Sequence, residues 1–159
     1  MKLHHIPFAA LLIVSAAITS PAAAEPSDAV TIRTCLKAES DAGRGGRGCV
    51  GKISDPCMKE PGGDSTVGMT MCLDREVKVW DALLNDEYKQ LLSGLQEKAQ
   101  KKVRAAQRSW IATRDADCEI PYALFEGGTI ARPLAVQCLF DETADRALQL
   151  RAWREMTGG

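Results

Sequence analysis

Beyond its fifth residue the chain has no histidine, because the two it contains are His4 and His5. Everything downstream therefore lacks Ser-His and Cys-His nucleophile activation, the usual base near neutral pH and the commonest metal ligand. There is also no C-x-x-C pair, which removes the common redox dithiol and the close-spaced cysteines of a zinc site. No glycine-rich phosphate loop follows a strand, and no alternation of apolar and polar residues is long enough to assign a strand. Carboxylates are plentiful, but glycosidase chemistry needs two of them across a substrate cleft, which a bundle this small rarely provides. No catalytic residue, metal ligand or cofactor is assigned, and the chain does not read as an enzyme. The formal net charge of -1 is too weak to draw nucleic acid or anionic lipid over long range. The single Arg44-Gly45-Gly46-Arg47-Gly48 stretch is read as a solvated loop tip, and no nucleic-acid partner is expected.

What is present begins with Lys2, an apolar run from Ile6 to Ile18 and then Pro21-Ala22-Ala23-Ala24. This is the layout of a secretory signal, with cleavage expected after Ala24. The run is too short to span a bilayer, no later run is longer, and no cysteine follows the expected cut. No stable membrane anchor is expected, and the product is periplasmic or secreted. Removing residues 1–24 takes away one lysine and no carboxylate, and the remainder suffices for one domain with a modest core.

All six cysteines, at 35, 49, 57, 72, 118 and 138, follow that segment, and an even number behind a signal reads as a disulfide framework. Sequential pairing, Cys35 with Cys49, Cys57 with Cys72 and Cys118 with Cys138, closes three short loops. Each link would contribute on the order of 3 kcal/mol by restricting the unfolded chain. A rival pairing joins Cys72 to Cys118.

The rival arises from the helices. A short helix is expected from about Asp28 to Ser40, with Ser27 as a candidate cap, followed by glycine- and proline-rich turns around Cys49 and Cys57. From Ser65 or Thr66 to Ser93, apolar residues recur at three- and four-residue steps through Met69, Cys72, Leu73, Trp80, Leu83, Leu84, Tyr88 and Leu91. A second helix is expected over about Glu97–Cys118 and a third over about Pro133–Glu155. The break near Gly94 is short enough to make the first two antiparallel. Counting from Leu95 sets Trp80 opposite Trp110, Glu76 near Arg114 and Cys72 near Cys118. The expected fold is all-α: a small disulfide-stapled bundle built on a long antiparallel hairpin plus a C-terminal helix. Residues 25–56 form an N-terminal stapled extension and residues 57–155 the helical domain.

Several pieces of this helical region resemble one family. They are Trp80-Asp81-Ala82-Leu83-Leu84-Asn85-Asp86-Glu87-Tyr88, Ala106-Gln107-Arg108-Ser109-Trp110-Ile111-Ala112-Thr113-Arg114-Asp115-Ala116-Asp117-Cys118, Gly127-Gly128-Thr129, Cys138-Leu139 and Thr143 to Arg146. Together, over roughly residues 57–153, they resemble the LprI-like lysozyme-inhibitor family. The resemblance implies an exported, cysteine-stapled helical domain that binds a lysozyme or another envelope protein and inhibits lysozyme by protein–protein contact. The alternative is a stapled envelope interaction module without lysozyme inhibition. The lipid-anchor cysteine of the named member is absent here, and Cys35 and Cys49 are additional.

Trp80, Tyr88 and Trp110 are expected in the core, and Arg114 in a buried ion pair with Glu76. Asn85, Asp115, Thr143 and Arg146 are read as helix-terminal or interhelical hydrogen-bonding groups. The stretch 119–133, with two prolines and Gly127-Gly128, reads as a long loop pinned by Cys118 and Cys138. As the candidate contact for a partner it offers Phe125, Glu126, Gly127, Gly128 and Thr129, because a stapled loop loses less entropy on binding.

Overall fold

Among the described residues, five helices carry most of the structure: α1 (Pro26–Asp41), α2 (Ser54–Met58), α3 (Thr66–Ser93), α4 (Glu97–Leu124) and α5 (Ala131–Met156), with one 3₁₀ turn at Arg47–Cys49. This computed structural model describes residues 26–158, so the expected signal segment lies outside the described residues. Among the described residues there is no strand. The fold is an all-α bundle with three disulfides, Cys35–Cys49, Cys57–Cys72 and Cys118–Cys138. The rival Cys72–Cys118 link does not form.

α3 starts where the sequence supplies a cap. The Ser65 hydroxyl accepts the Gly68 N–H at 3.0 Å and donates to the Gly62 carbonyl at 2.7 Å. Gly68 is required at this start, because a Cβ there would lie 2.0 Å from the Gly62 oxygen. That close approach lets the turn after Cys57 fold back onto α3, where Cys57 meets Cys72.

The apolar stripe of α3 buries Leu73, Val79, Trp80, Leu83, Leu84 and Leu91 against Phe140, Ala144, Ala147 and Leu150 of α5. Burial of each large side chain in this set contributes about 1.5–3 kcal/mol. The two helices run parallel, Arg154 meeting Glu87 at one end and Ala131 lying beside Thr66 at the other. α4 runs back along α5, tied to it by Cys118–Cys138 and by the Arg146–Gln107 hydrogen bond at 2.9 Å. α3 and α4 are antiparallel around their short turn, where the Gln100 amide donates to the carbonyls of Leu92 and Leu95. They hardly touch along their lengths, because α5 fills the groove between them.

This intervening helix corrects the expected Glu76–Arg114 pair. Arg114 hydrogen-bonds Asp115 at 2.7 and 3.0 Å and lies over the Trp110 ring at 4.8 Å. Glu76, wholly buried, turns to the N-terminal extension instead. Its carboxylate accepts the N–H groups of Gly51, Ile53 and Ser54, the Ser54 hydroxyl and the Trp80 indole N–H. The extension is further fixed by Ile32 and Leu36 in the common core and by the Asp28–Arg75 pair at 2.6 and 2.7 Å.

Three boundaries differ from expectation. α1 begins at Pro26, so Ser27 is inside it rather than its cap, and the Ser27 carbonyl accepts the Thr31 hydroxyl. α4 runs through Pro121 to Leu124, so the segment 119–124 read as loop is helix. A proline removes one N–H and crowds the preceding turn, and α4 continues past Pro121 for only the three residues to Leu124. α5 begins at Ala131, with Pro133 inside its first turn.

Candidate partner-binding site

The connection between α4 and α5 is only Phe125 to Ile130, and its shape is set by local bonds. Phe125 N–H donates to the Pro121 carbonyl at 3.0 Å and Gly128 N–H to the Phe125 carbonyl at 2.8 Å. Gly127 has φ of 69°, in the left-handed region that glycine occupies without a side-chain penalty. Behind this turn, Cys118–Cys138 clamps the last turns of α4 to α5.

Because α3 and α5 are parallel, their first turns meet this connection at one end of the bundle. Together they enclose a concavity of about 440 Å³ lined by α3, the end of α4, the turn and the start of α5. Phe125, Gly127, Gly128 and Thr129 of the expected contact line it, and Glu126 does not. Thr66, Val67, Thr70 and Met71 of α3 form its other wall, with Tyr122, Ala131 and Arg132 completing it. Val67 and Met71 are each 67% exposed and Leu124 is 71% exposed. Tyr122, Phe125, Ile130 and Leu134 add to this uncovered apolar surface.

The α3 wall was missed in the sequence, although two signals bore on it. Val67 and Met71 are apolar residues four apart that do not belong to the buried stripe. The hairpin count about Leu95, carried to the start of α3, sets Thr70 opposite Ile120 and Gly68 opposite Tyr122. The expected long loop concealed this, since those residues are helical.

The concavity is lined by apolar side chains, hydroxyl groups and one guanidinium. Its polar groups are the hydroxyls of Thr66, Thr70, Tyr122 and Thr129 and the Arg132 guanidinium, and Thr70 already donates to the Thr66 carbonyl at 2.7 Å. All the cysteines are in disulfides. Among the described residues no group of histidine, cysteine or carboxylate side chains could hold a metal ion.

None of the other candidate residues lines the concavity. Trp80 is fully buried; Trp110 and Tyr88 pack at the edge of the core. Thr143 is buried on α5, and the exposed Asn85 donates to the Asp81 carbonyl and carboxylate within α3. Arg146 is held between Trp110 and Trp153, 5.6 and 5.2 Å from the ring centres, and donates to Gln107 and Gln149. Burial lowers the pKa of this guanidinium from its ordinary value.

Residues 57–150, more than half of the chain, match the family model for lysozyme inhibitor LprI. The chain belongs to the LprI family. The LprI match begins at Cys57 and takes in two of the three disulfides, α3, α4 and most of α5, so α1 and the Cys35–Cys49 staple precede it. A relative from Rhizobium meliloti (strain 1021), described as an uncharacterized protein, is 27% identical over 104 residues, covering 57% of this chain and 75% of the relative. No solved structure matches the chain. LprI is a family of inhibitors rather than catalysts, and its description together with three disulfides implies a location outside the cytoplasm. No described helix is long and apolar enough to cross a membrane.

Proposed function

We propose that this protein, exported with cleavage near Ala24 and released to the periplasm or the medium, binds a lysozyme and inhibits it by covering its substrate cleft. The observation that carries this reading is the uncovered apolar concavity at the Phe125–Thr129 end of an LprI domain. Contiguous exposed apolar surface marks interaction sites on soluble proteins. Tyr122, Phe125, Met71 and Arg132 are the residue types that concentrate at protein interfaces.

Lysozyme cleaves with a pair of carboxylates on either side of the glycosidic bond. A rigid body seated in that cleft needs no chemistry of its own to stop the reaction. The Cys118–Cys138 staple holds the turn in shape, which limits the ordering cost of binding. Glu126, adjacent in sequence to the lining residues Phe125 and Gly127, meets basic groups at the rim of a cationic lysozyme in this reading and speeds encounter.

The test is hydrolysis of peptidoglycan by several lysozyme classes in the presence of the exported, oxidised protein, with binding measured by calorimetry. Saturable inhibition at stoichiometric protein supports the reading. If none of the enzymes is bound at high micromolar protein, the lysozyme-inhibitor reading fails.

A further inference from the structure

The charge around the concavity narrows the chemistry of its occupant. Arg132, at the start of α5, is the one charged residue in the lining. Its guanidinium makes no ion pair or hydrogen bond among the described residues. Nearly every other arginine is engaged: Arg33 with Asp86, Arg44 with Glu39, Arg47 with Asp145, Arg75 with Asp28, Arg114 with Asp115, Arg151 with Glu155 and Arg154 with Glu87. Only Arg108, on the exposed side of α4 and away from the concavity, shares the condition of Arg132. No carboxylate lines the cavity to neutralise this charge.

A guanidinium beside an apolar wall is suited to one kind of target. It binds a carboxylate through two parallel N–H donors, and removal of water by the surrounding apolar contact strengthens that pairing. The remainder of the lining, Val67, Met71, Tyr122 and Phe125, offers apolar contact to whatever carries the carboxylate, with the flexible Met71 able to adapt its shape.

We infer that Arg132 is the charged anchor of this surface and pairs with a cleft carboxylate of the lysozyme, while the apolar lining covers the carboxylate's neighbours. This rests on the lysozyme-binding reading and adds the group recognised: one of the two acids the enzyme uses for cleavage. Inhibition is then competitive with substrate, because the paired acid is unavailable to it.

A double-mutant cycle tests this with a c-type lysozyme as the probe. The inhibitor is wild type, Arg132→Ala or Arg132→Lys; the lysozyme is wild type or has one cleft carboxylate replaced by its amide. Since Arg132 is exposed at the helix start, Arg132→Ala folds normally, which the helical circular dichroism and melting temperature verify. With wild-type lysozyme, Arg132→Ala is expected to weaken binding by about tenfold or more, with Arg132→Lys intermediate. With the amide variant of the paired acid, the difference between wild type and Arg132→Ala is expected to shrink severalfold. Arg132→Ala binding within twofold of wild type overturns the inference, as does an equal loss against wild-type lysozyme and both amide variants. Either result leaves lysozyme binding standing. Absence of binding by the wild-type inhibitor overturns both readings together.

Discussion

Glu76 on α3 accepts the Ser54 N–H at 2.7 Å and the Ser54 hydroxyl at 2.8 Å, so one buried carboxylate holds the start of α2 against the long helix. The same carboxylate takes the N–H groups of Gly51 and Ile53 and the Trp80 indole N–H. Every partner is a donor. A negative charge within the core is sustained by five hydrogen bonds rather than by a cation, since charge-assisted bonds to N–H groups offset the loss of water.

An amide at this position has the right shape and the wrong chemistry, because its NH₂ meets donors. Glu76→Gln is therefore expected to lower stability by about 3 kcal/mol, the scale of losing charged hydrogen bonds while leaving buried donors unpaired. Glu76→Ala is expected to do more and to detach the extension. Urea denaturation under oxidising conditions measures the first, and proteolysis between Gly43 and Pro61 the second. Unchanged stability for Glu76→Gln would show that the carboxylate is not the anchor.

The Cys118–Cys138 and Cys35–Cys49 staples are expected to separate in function. Replacing both members of either pair by serine removes a loop-closing link worth about 3 kcal/mol. Loss of Cys118–Cys138 additionally loosens the turn, so lysozyme binding should fall even at temperatures where the variant is folded. Loss of Cys35–Cys49 should leave binding within twofold, since that pair is remote from the concavity. Calorimetric titration of both variants, beside their melting curves, distinguishes the two roles.

Exposed apolar residues at the concavity should matter to binding more than to folding. Met71→Glu and Phe125→Ala are expected to weaken lysozyme binding by about tenfold or more, as interface anchors do, with melting temperature nearly unchanged. Glu126→Lys should chiefly slow association with a cationic lysozyme and reverse its salt dependence. Surface plasmon resonance at two ionic strengths reads both effects; equal rates for all variants would move the contact elsewhere.

Arg146 fills the space between Trp110 and Trp153 with a flat cation, and Arg146→Lys replaces the flat group with a point charge. A loss of about 1–2 kcal/mol is expected from the weaker ring contacts and the lost Gln107 bond. Arg146→Met, which keeps the packing and removes the buried charge, should be tolerated better. Paired denaturation curves decide between them.

Arg44 holds the Glu39 carboxyl below its usual pKa, chiefly by donating hydrogen bonds to it at 2.6 and 2.9 Å. A lowered carboxyl pKa favours the folded state above the ordinary value and loses that contribution as pH falls through the folded value. Arg44→Ala should return the Glu39 titration upward toward 4.5 in a carboxyl-detected NMR experiment. No upward movement would mean that the pair is not formed in solution.

The long helices were legible because each is written locally, whereas α2 lies where the sequence reads as turns around Cys57. Ser65 before α3, Gly94 after it and the apolar steps of α3 act within one or two turns, and the periodicity survives any tertiary arrangement. The sequential disulfides could be favoured in the same way, each closing a short loop, although the sequence left the Cys72–Cys118 link open. The resemblance carried by the Gln107–Cys118 region led to the family, which the match over residues 57–150 established. Four of the five residues offered as a contact, Phe125, Gly127, Gly128 and Thr129, line the concavity, because a glycine turn between two cysteines is a local feature.

Tertiary structure decided what those pieces meet. Whether α3 packs on α4 or on α5 depends on which apolar stripes bury more surface together, a comparison among distant segments that no local pattern contains. Its outcome, α5 in the groove, separated Glu76 from Arg114 and left the carboxylate to bind the backbone of a turn more than twenty residues away. It also brought the first turns of α3 and α5 together, making a concavity from residues more than fifty positions apart. Sequence determined the long helices and pointed to the family, and it favoured the sequential staples; only packing determined that Arg132, Met71 and Phe125 share one surface.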